Sequence, residues 1–494
     1  MGIRTGEQYL EHLNRSVREV YVNGEKITTD VAEHPALRNN ARTFAELFDL
    51  QHDPQHQETL TCHSPSSGEL VNASFQIPRS EHDLVTRRRA MQVWSDHTNG
   101  FLGRSGDYLN SMLTALAAAE EFFDQADPVY GERIRAYHQF VREGDLLMSH
   151  TLIPPQVNRS VPASHQGGGH VAARVVEQRE DGIVVRGARM LATIAPIADE
   201  LLVFPSTLLR NSPEDAPYSY AFAVSMDAPG LKLFCRAPLD NSRGGFDEPL
   251  ASRFDEMDAL VVFDDVFVPN SRVFLLGRPD LCNAFYADTG AGALMTHQVV
   301  ARTTAKTEFY LGLASELAAT IDVEQFPHIQ EDIAEIITWV EIEKALLRAA
   351  EADGALSPDG VFLPKWSTLN AARNWYPRHV SQRLPEIIRK ISASGLMALP
   401  GEHDFAGDER RSLDAYLQSA TGTAEERARL FKLAFDASVS GFAGRETLYE
   451  YFFFGDPVRM AAALVAGYDR APAQERVRRL LAAKPAATRY LVPA

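Results

Sequence analysis

The runs His170-Val171-Ala172-Ala173-Arg174-Val175-Val176-Glu177 and Gly182-Ile183-Val184-Val185-Arg186-Gly187, joined through Glu180-Asp181-Gly182, decide how this chain is read. Two β-branched runs flanking an Asp-Gly turn predict a β-hairpin. Further strands are expected at Glu200-Leu201-Leu202-Val203-Phe204-Pro205, at Tyr218-Ser219-Tyr220-Ala221-Phe222-Ala223-Val224 and at Ala259-Leu260-Val261-Val262-Phe263. Clusters of Pro, Gly, Asn and Asp separate them, with no helical pattern between. That texture favours an antiparallel barrel or sandwich over a doubly wound sheet.

Outward from this region the pattern turns helical on both sides. Upstream, Thr43 to Leu50 repeats apolar residues at helical spacing, and so does His82 to Phe123, through Val85, Met91, Trp94, Leu109, Met112 and Leu116. Gly100, Gly103 and Gly106 interrupt the second stretch. Each would cost about 1 kcal/mol inside a helix, so a break is expected around Arg104. Downstream of Asn283, Phe309, Leu313 and Leu317, then Ile333, Ile336, Val340 and Leu347, then Leu430, Leu433 and Ala434 keep helical spacing and predict a bundle. The expected organisation is α+β in three parts: an N-terminal helical domain over 1–150, a middle antiparallel β domain over 151–282 and a C-terminal helical bundle over 283–494.

Composition narrows the function classes. The chain has 494 residues with a formal charge of -17, which argues against nucleic acid and anionic membrane surfaces as partners. The three cysteines, Cys62, Cys235 and Cys282, have neither metal nor redox spacing and fit a reducing cytoplasm. Met1 to Glu7 carries charge where an export signal needs an apolar core, and no run of 18 apolar residues occurs, so a cytoplasmic protein that does not span a membrane is expected. Gly167-Gly168-Gly169-His170 precedes a hairpin instead of joining a strand to a helix, which argues against a dinucleotide fingerprint. No phosphate loop, serine elbow or zinc-protease motif is present. His52 and His56 have helical ligand spacing, but Pro54 lies between them, and no metal site is expected.

The chemistry centres on Gly103-Arg104-Ser105-Gly106-Asp107-Tyr108 and His150: a guanidinium, a phenol and an imidazole able to converge on one anionic oxygen. Taken singly, Arg104 and Tyr108 read as a helix-surface pair and His150 as a core histidine. Five stretches in order change that reading. They are Arg4-Thr5-Gly6-Glu7-Gln8-Tyr9-Leu10; the Arg104 stretch; Ser149-His150-Thr151 with Pro155-Gln156-Val157-Asn158-Arg159; Gly187 to Thr193 with Ala198-Asp199-Glu200; and Gly444-Arg445 with Tyr449-Glu450 and Phe453-Phe454-Gly455-Asp456-Pro457. Together they resemble the 4-hydroxyphenylacetate 3-monooxygenase family, the oxygenase half of two-component aromatic hydroxylases.

The resemblance implies an acyl-CoA dehydrogenase-like fold, usually assembled as a tetramer, and a separate NAD(P)H:flavin reductase that delivers FADH2. It implies that FAD and O2 form a flavin C4a-hydroperoxide that hydroxylates a small phenolic substrate ortho to its oxygen. It assigns Arg104, Tyr108 and His150 to the substrate oxygen, with His150 also beside the cofactor and able to shuttle a proton near neutral pH. It gives Gln156, Val157, Asn158, Arg159, Thr193, Phe442, Ala443, Gly444 and Arg445 to the flavin, and Ser206 and Thr207 to a loop over the substrate. His297 matches a region where halophenol- and nitrophenol-oxidising relatives carry a catalytic histidine; a buried structural histidine is the alternative. Gly106 departs from the family, where proline is frequent. The residues leave the substrate open among free phenolic acids, halo- or nitrophenols and carrier-tethered tyrosine, with N-hydroxylation or an acyl-CoA dehydrogenase-type reaction as remoter alternatives. The related iron–sulfur dehydratases need three cysteines and a histidine, and no cysteine lies between Cys62 and Cys235.

Overall fold

The hairpin forms where the Asp-Gly turn puts it: Arg174–Gln178 pairs antiparallel with Gly182–Thr193. The computed structural model describes residues 2–205 and 209–482, so Ser206, Thr207 and the tail from Arg489 to Pro493 lie outside the described residues. The hairpin ends a six-stranded sheet running, edge to edge, Glu25–Ile27, Glu19–Val22, Leu231–Cys235, Asp258–Pro269, Gly182–Thr193, Arg174–Gln178. A four-stranded sheet in the order Val273–Leu276, Tyr220–Ser225, Glu200–Val203, Met148–Thr151 packs with it.

The sheets are mixed and not purely antiparallel. Glu19–Val22 runs parallel to Leu231–Cys235, and Met148–Thr151 parallel to Glu200–Val203. Both extra strands come from the stretch read as helical. Glu19–Val22 alternates over too few residues to register as a strand, and Met148–Thr151 is buried at every position, so it shows no alternation at all.

Around the sheets, the α, β, α order holds. Helices Gly6–Arg15, Arg38–Leu50, Glu81–His97, Gly106–Ala118 and Pro128–Gly144 precede the sheet region. The C-terminal bundle is built on Ala291–Thr320, which packs against Pro327–Ala352 and also against Glu81–His97 and Gly106–Ala118. That helix is buried along most of its length, so the two helical regions meet on it.

Two of the quoted motifs are staples that set this frame. Arg4 donates to Asp199 Oδ2 at 2.6 Å and to the Asp145 carbonyl at 2.9 Å, and the Tyr9 hydroxyl donates to the Ile197 carbonyl at 2.8 Å. A side chain at Gly6 would strike the Ala45 carbonyl and Asp49, which lets the first helix lie directly on Arg38–Leu50. Among the described residues no helix is long and apolar enough to cross a membrane.

Candidate active site

The expected break lies between Glu81–His97 and Gly106–Ala118, and it is shaped by backbone that only glycine allows. Gly100 has φ +69°, and a Cβ there would strike the Arg302 carbonyl. At Gly103 the space for a Cβ is filled by the Tyr449 ring. Consecutive amides of this loop, Gly103 N and Arg104 N, donate to the two oxygens of Glu256 at 3.1 and 2.7 Å. The helix that follows is pinned at its start: Asp107 accepts from Ser105 Oγ at 2.7 Å and from Gln298 Nε2 at 3.2 Å. Gly106 is its first residue, with Ser105 at φ -50°, ψ 146° before it, a backbone that also suits the family's proline.

The pinned turn projects Arg104 and Tyr108 to one side. The Arg104 guanidinium lies 4.7 Å from the Tyr108 ring, 4.5 Å from Phe453 and 5.4 Å from Tyr449. It is 8% exposed, yet among the described residues its only hydrogen bond runs from Nη1 to the Gly103 carbonyl at 3.2 Å, and Nε has no partner. Among the described residues no carboxylate lies within 4.0 Å of it. A buried cation without a counter-ion is costly, so this geometry is poised to gain an anion.

His150 joins from the neighbouring strand, its ring 6.1 Å from that of Tyr108. Burial, and then the Arg104 charge, hold its pKa well below the ordinary value, so the ligand-free imidazole is neutral, with a single ring proton, near pH 7. Its Nδ1 has no partner. Burial raises the Tyr108 pKa against the opposing charge of Arg104, which keeps the phenol a hydrogen donor. The structure thus brings all three residues together as a fixed cation, a neutral donor and a neutral imidazole.

A second group of assigned residues meets on Asp258. The Thr193 hydroxyl donates to Asp258 Oδ1 at 2.7 Å, and Arg445 donates to both of its oxygens at 3.0 and 2.9 Å. Burial alone would raise the Asp258 pKa; Arg445, Arg236 and Thr193 outweigh it and hold the carboxylate ionised. Gly444, next in the helix, faces open space, whereas Phe442 packs 5.9 Å from Phe101 in the interior and Ala443 is buried beside it. Gln156, Val157, Asn158 and Arg159 form an exposed loop, with Val157 N and Asn158 N both facing Gln166 Oε1. The chain enters that loop past Met190, whose amide donates to the Ile153 carbonyl at 2.7 Å, so the loop starts beside the Thr193 end of that strand. Leu191 there has φ +60° and is 52% exposed, an apolar side chain turned outward by a bulge.

His297 sits elsewhere in the helix Ala291–Thr320, fully buried, with Nε2 2.9 Å from Glu351 Oε1, which also accepts from Arg88 at 2.7 Å. Burial lowers its pKa and Glu351 offsets part of that. No contact joins it to Arg104, Tyr108 or His150 among the described residues.

Glu256 and Asp258 are the site residues that sequence reasoning missed. Nothing local in Asp255-Glu256-Met257-Asp258 marks either carboxylate as inward-facing, and the fold alone places them there. Tyr449 and Phe453 stood in a quoted motif, but nothing in the sequence placed them against Arg104.

Comparison with known proteins gives this arrangement its context. The model for 4-hydroxyphenylacetate 3-hydroxylase N terminal matches residues 5–275, and that for 4-hydroxyphenylacetate 3-hydroxylase C terminal matches residues 282–482. The 4-hydroxyphenylacetate 3-monooxygenase oxygenase component of Thermus thermophilus is 46% identical over 478 residues, covering 97% of each chain. That of a Geobacillus species is 43% identical over 486 residues, again covering 97% of each. A crystal structure of such an oxygenase component, complexed with FAD and 4-hydroxyphenylacetate, superposes with a TM-score of 0.92 at 45% identity, covering 97% of this chain and 98% of that one. The fold is the expected acyl-CoA dehydrogenase-like one.

Proposed function

This chain belongs to the 4-hydroxyphenylacetate 3-hydroxylase family and is a flavin-dependent monooxygenase, and from that premise we propose that it hydroxylates a phenolic substrate ortho to its hydroxyl, using reduced FAD from a separate reductase. The observation that carries the reading is Arg104, a nearly buried guanidinium with aromatic faces around it and, among the described residues, no carboxylate in contact. A phenolate oxygen supplies the missing charge.

The residues present fit a flavin. Gly444 faces open space, Leu191 offers an exposed apolar face, and the loop from Gln156 to Arg159 is exposed and available to a bound ring system. Thr193 and Arg445, held in place by Asp258, would line that side. When bound, reduced FAD together with O2 supplies the electrophilic oxygen. This chain's own residues prepare the aromatic ring. Arg104 favours the ionised phenol, which raises electron density at the ortho carbon. Tyr108 donates a hydrogen bond to the same oxygen, and His150, its Nδ1 without a partner, is the neutral acceptor facing the phenol's proton; burial opposes an imidazolium there, and the new anion removes only the smaller, Arg104 part of that opposition. The aromatic wall of Tyr449 and Phe453 keeps water from the guanidinium.

Exposed apolar residues on the last helices, Leu448, Val458, Val465, Leu480 and Leu481, support a homo-oligomer. The test of the function is a coupled assay with a generic NADH:flavin reductase, FAD and O2 over a panel of para-substituted phenols, read by mass spectrometry. Catechol formation that disappears in Arg104→Ala is the expected outcome. Hydrogen peroxide as the sole product with every phenol would overturn it.

A further inference from the structure

We infer that Glu256 is the positioning residue for Arg104: it fixes the peptide from which the guanidinium projects, while leaving that guanidinium free for an anionic ligand. The inference rests on the phenolate reading above and assigns the device that makes it work. Glu256 lies between the helix Ala251–Phe254 and the strand Asp258–Pro269, fully buried. Its Oε1 accepts from Arg104 N at 2.7 Å; its Oε2 accepts from Gly103 N at 3.1 Å and faces Arg445 Nη1 at 3.4 Å. Two oxygens on two consecutive amides fix the orientation of a peptide plane, not merely its location.

Little else holds the guanidinium. Its one hydrogen bond returns to the carbonyl of Gly103, so both ends of that contact move with the peptide Glu256 holds. The remaining contacts are aromatic faces, which tolerate sliding. Tyr449 is wedged into the same unit. Its ring occupies the space over Gly103, stacks 4.0 Å from Arg445, and leaves its hydroxyl without a partner.

The placement of the negative charge is the informative feature. A carboxylate this close to Arg104 is in reach of the usual solution, an ion pair, which would close the site to anions. Glu256 is instead spent on backbone amides and on Arg445. Burial raises the Glu256 pKa, with Arg445, Arg104 and the Arg104 amide opposing that rise; as a carboxylate it favours the buried Arg104 cation without occupying the donors that a ligand needs. Through Arg445 and Asp258 the same acidic segment holds Thr193, so the substrate side and the proposed flavin side share one anchor.

The test uses the flavin-free full-length protein and 4-nitrophenol, whose ionisation is visible in its absorbance. The wild type should lower the titration midpoint of the bound phenol by about one pH unit or more, as expected beside an unpaired guanidinium, and Arg104→Ala should abolish that displacement. Glu256→Gln offers one acceptor to two amides and should remove at least about half of the displacement and weaken binding about tenfold, a loss on the scale of one buried charge-assisted hydrogen bond. Glu256→Asp, too short to reach both amides, should act in the same direction and serves if Glu256→Gln does not fold. If the displacement is lost in Arg104→Ala but intact in a folded Glu256 variant, the positioning role is wrong. If wild type and Arg104→Ala titrate alike, the phenolate reading itself fails.

Discussion

The same substitution, arginine to methionine, should have opposite effects on stability at two buried positions of this protein. Arg104 gains three aromatic contacts at 4.5 to 5.4 Å, each worth about 0.5–1 kcal/mol. One hydrogen bond, to the Gly103 carbonyl, adds about 1 kcal/mol. Against these roughly 2.5–4 kcal/mol stands the desolvation of an unpaired cation, several kcal/mol. The terms nearly cancel, and methionine keeps much of the apolar contact at no desolvation cost. Arg104→Met is therefore expected to leave the ligand-free protein unchanged or stabilise it by up to about 2 kcal/mol. Arg302, 1% exposed, differs in having a partner: it donates to both oxygens of Glu450 at 2.6 and 2.9 Å. Removing it strands Glu450 with only Lys306, at 2.8 Å, so Arg302→Met should cost about 3–5 kcal/mol. Thermal midpoints of the two variants and the wild type, without ligand, measure the contrast. A loss of more than about 2 kcal/mol in Arg104→Met would refute the reasoning, because it would make Arg104 a structural residue and not one held in reserve for a ligand.

Gly103→Ala places a methyl in the Tyr449 ring; it should cost about 1–3 kcal/mol and weaken 4-nitrophenol binding, checked by melting and by titration. Gly106→Pro should be tolerated and add about 0.4–1 kcal/mol, since the preceding residue is already extended and a Cβ at this position meets nothing nearer than 3.8 Å; a lowered melting point would contradict this. His138 is 4% exposed, and burial lowers its pKa to about 3. The unfolded chain takes up that proton near pH 6.5 and the folded one does not, so the group costs stability as pH falls from 6.5 towards 3, by about 1.4 kcal/mol per pH unit. His138→Gln should remove that share of the acid sensitivity, and denaturant titrations at pH 5.5 and 4.5 will show a smaller difference between the two pH values than in the wild type.

What the sequence disclosed follows from range. The Asp-Gly hairpin, the glycine-punctuated break and the helical stripes are encoded by neighbours along the chain, and each is found where local pattern put it. The strands Glu19–Val22 and Met148–Thr151 were invisible because their partners lie far away in sequence and their burial comes from those partners. The site divides in the same way. Arg104, in the loop, and Tyr108, in the first turn of the helix that follows, lie four residues apart with Gly103 beside them, so the group was legible. Glu256 was not: its meaning lies in two amides more than a hundred residues earlier. The protonation state of His150 was equally out of reach, since an imidazole in text gives no sign that burial and a neighbouring guanidinium keep it neutral.

The charges around the site explain why one cation matters among so many. Arg302 and Lys306 share Glu450, Lys306 also holds Glu446, and Arg445 is ringed by Asp258, Glu446 and Glu256. Arg302 and Lys306 hold Glu450 ionised, with a pKa of about 2 despite its burial. These pairs are mutually satisfied and give a ligand nothing to gain. Within this cluster of described residues, Arg104 alone has no carboxylate in contact, and so it alone offers a net electrostatic reward for binding. That reward goes only to a ligand able to bring a localised negative oxygen into an aromatic enclosure. A phenol qualifies after losing its proton, whereas the corresponding methyl ether leaves the guanidinium as it was. The discrimination should amount to about 1.5–3 kcal/mol, the worth of a hydrogen bond to a charged group, and it arises because the neighbouring carboxylate is committed to the backbone.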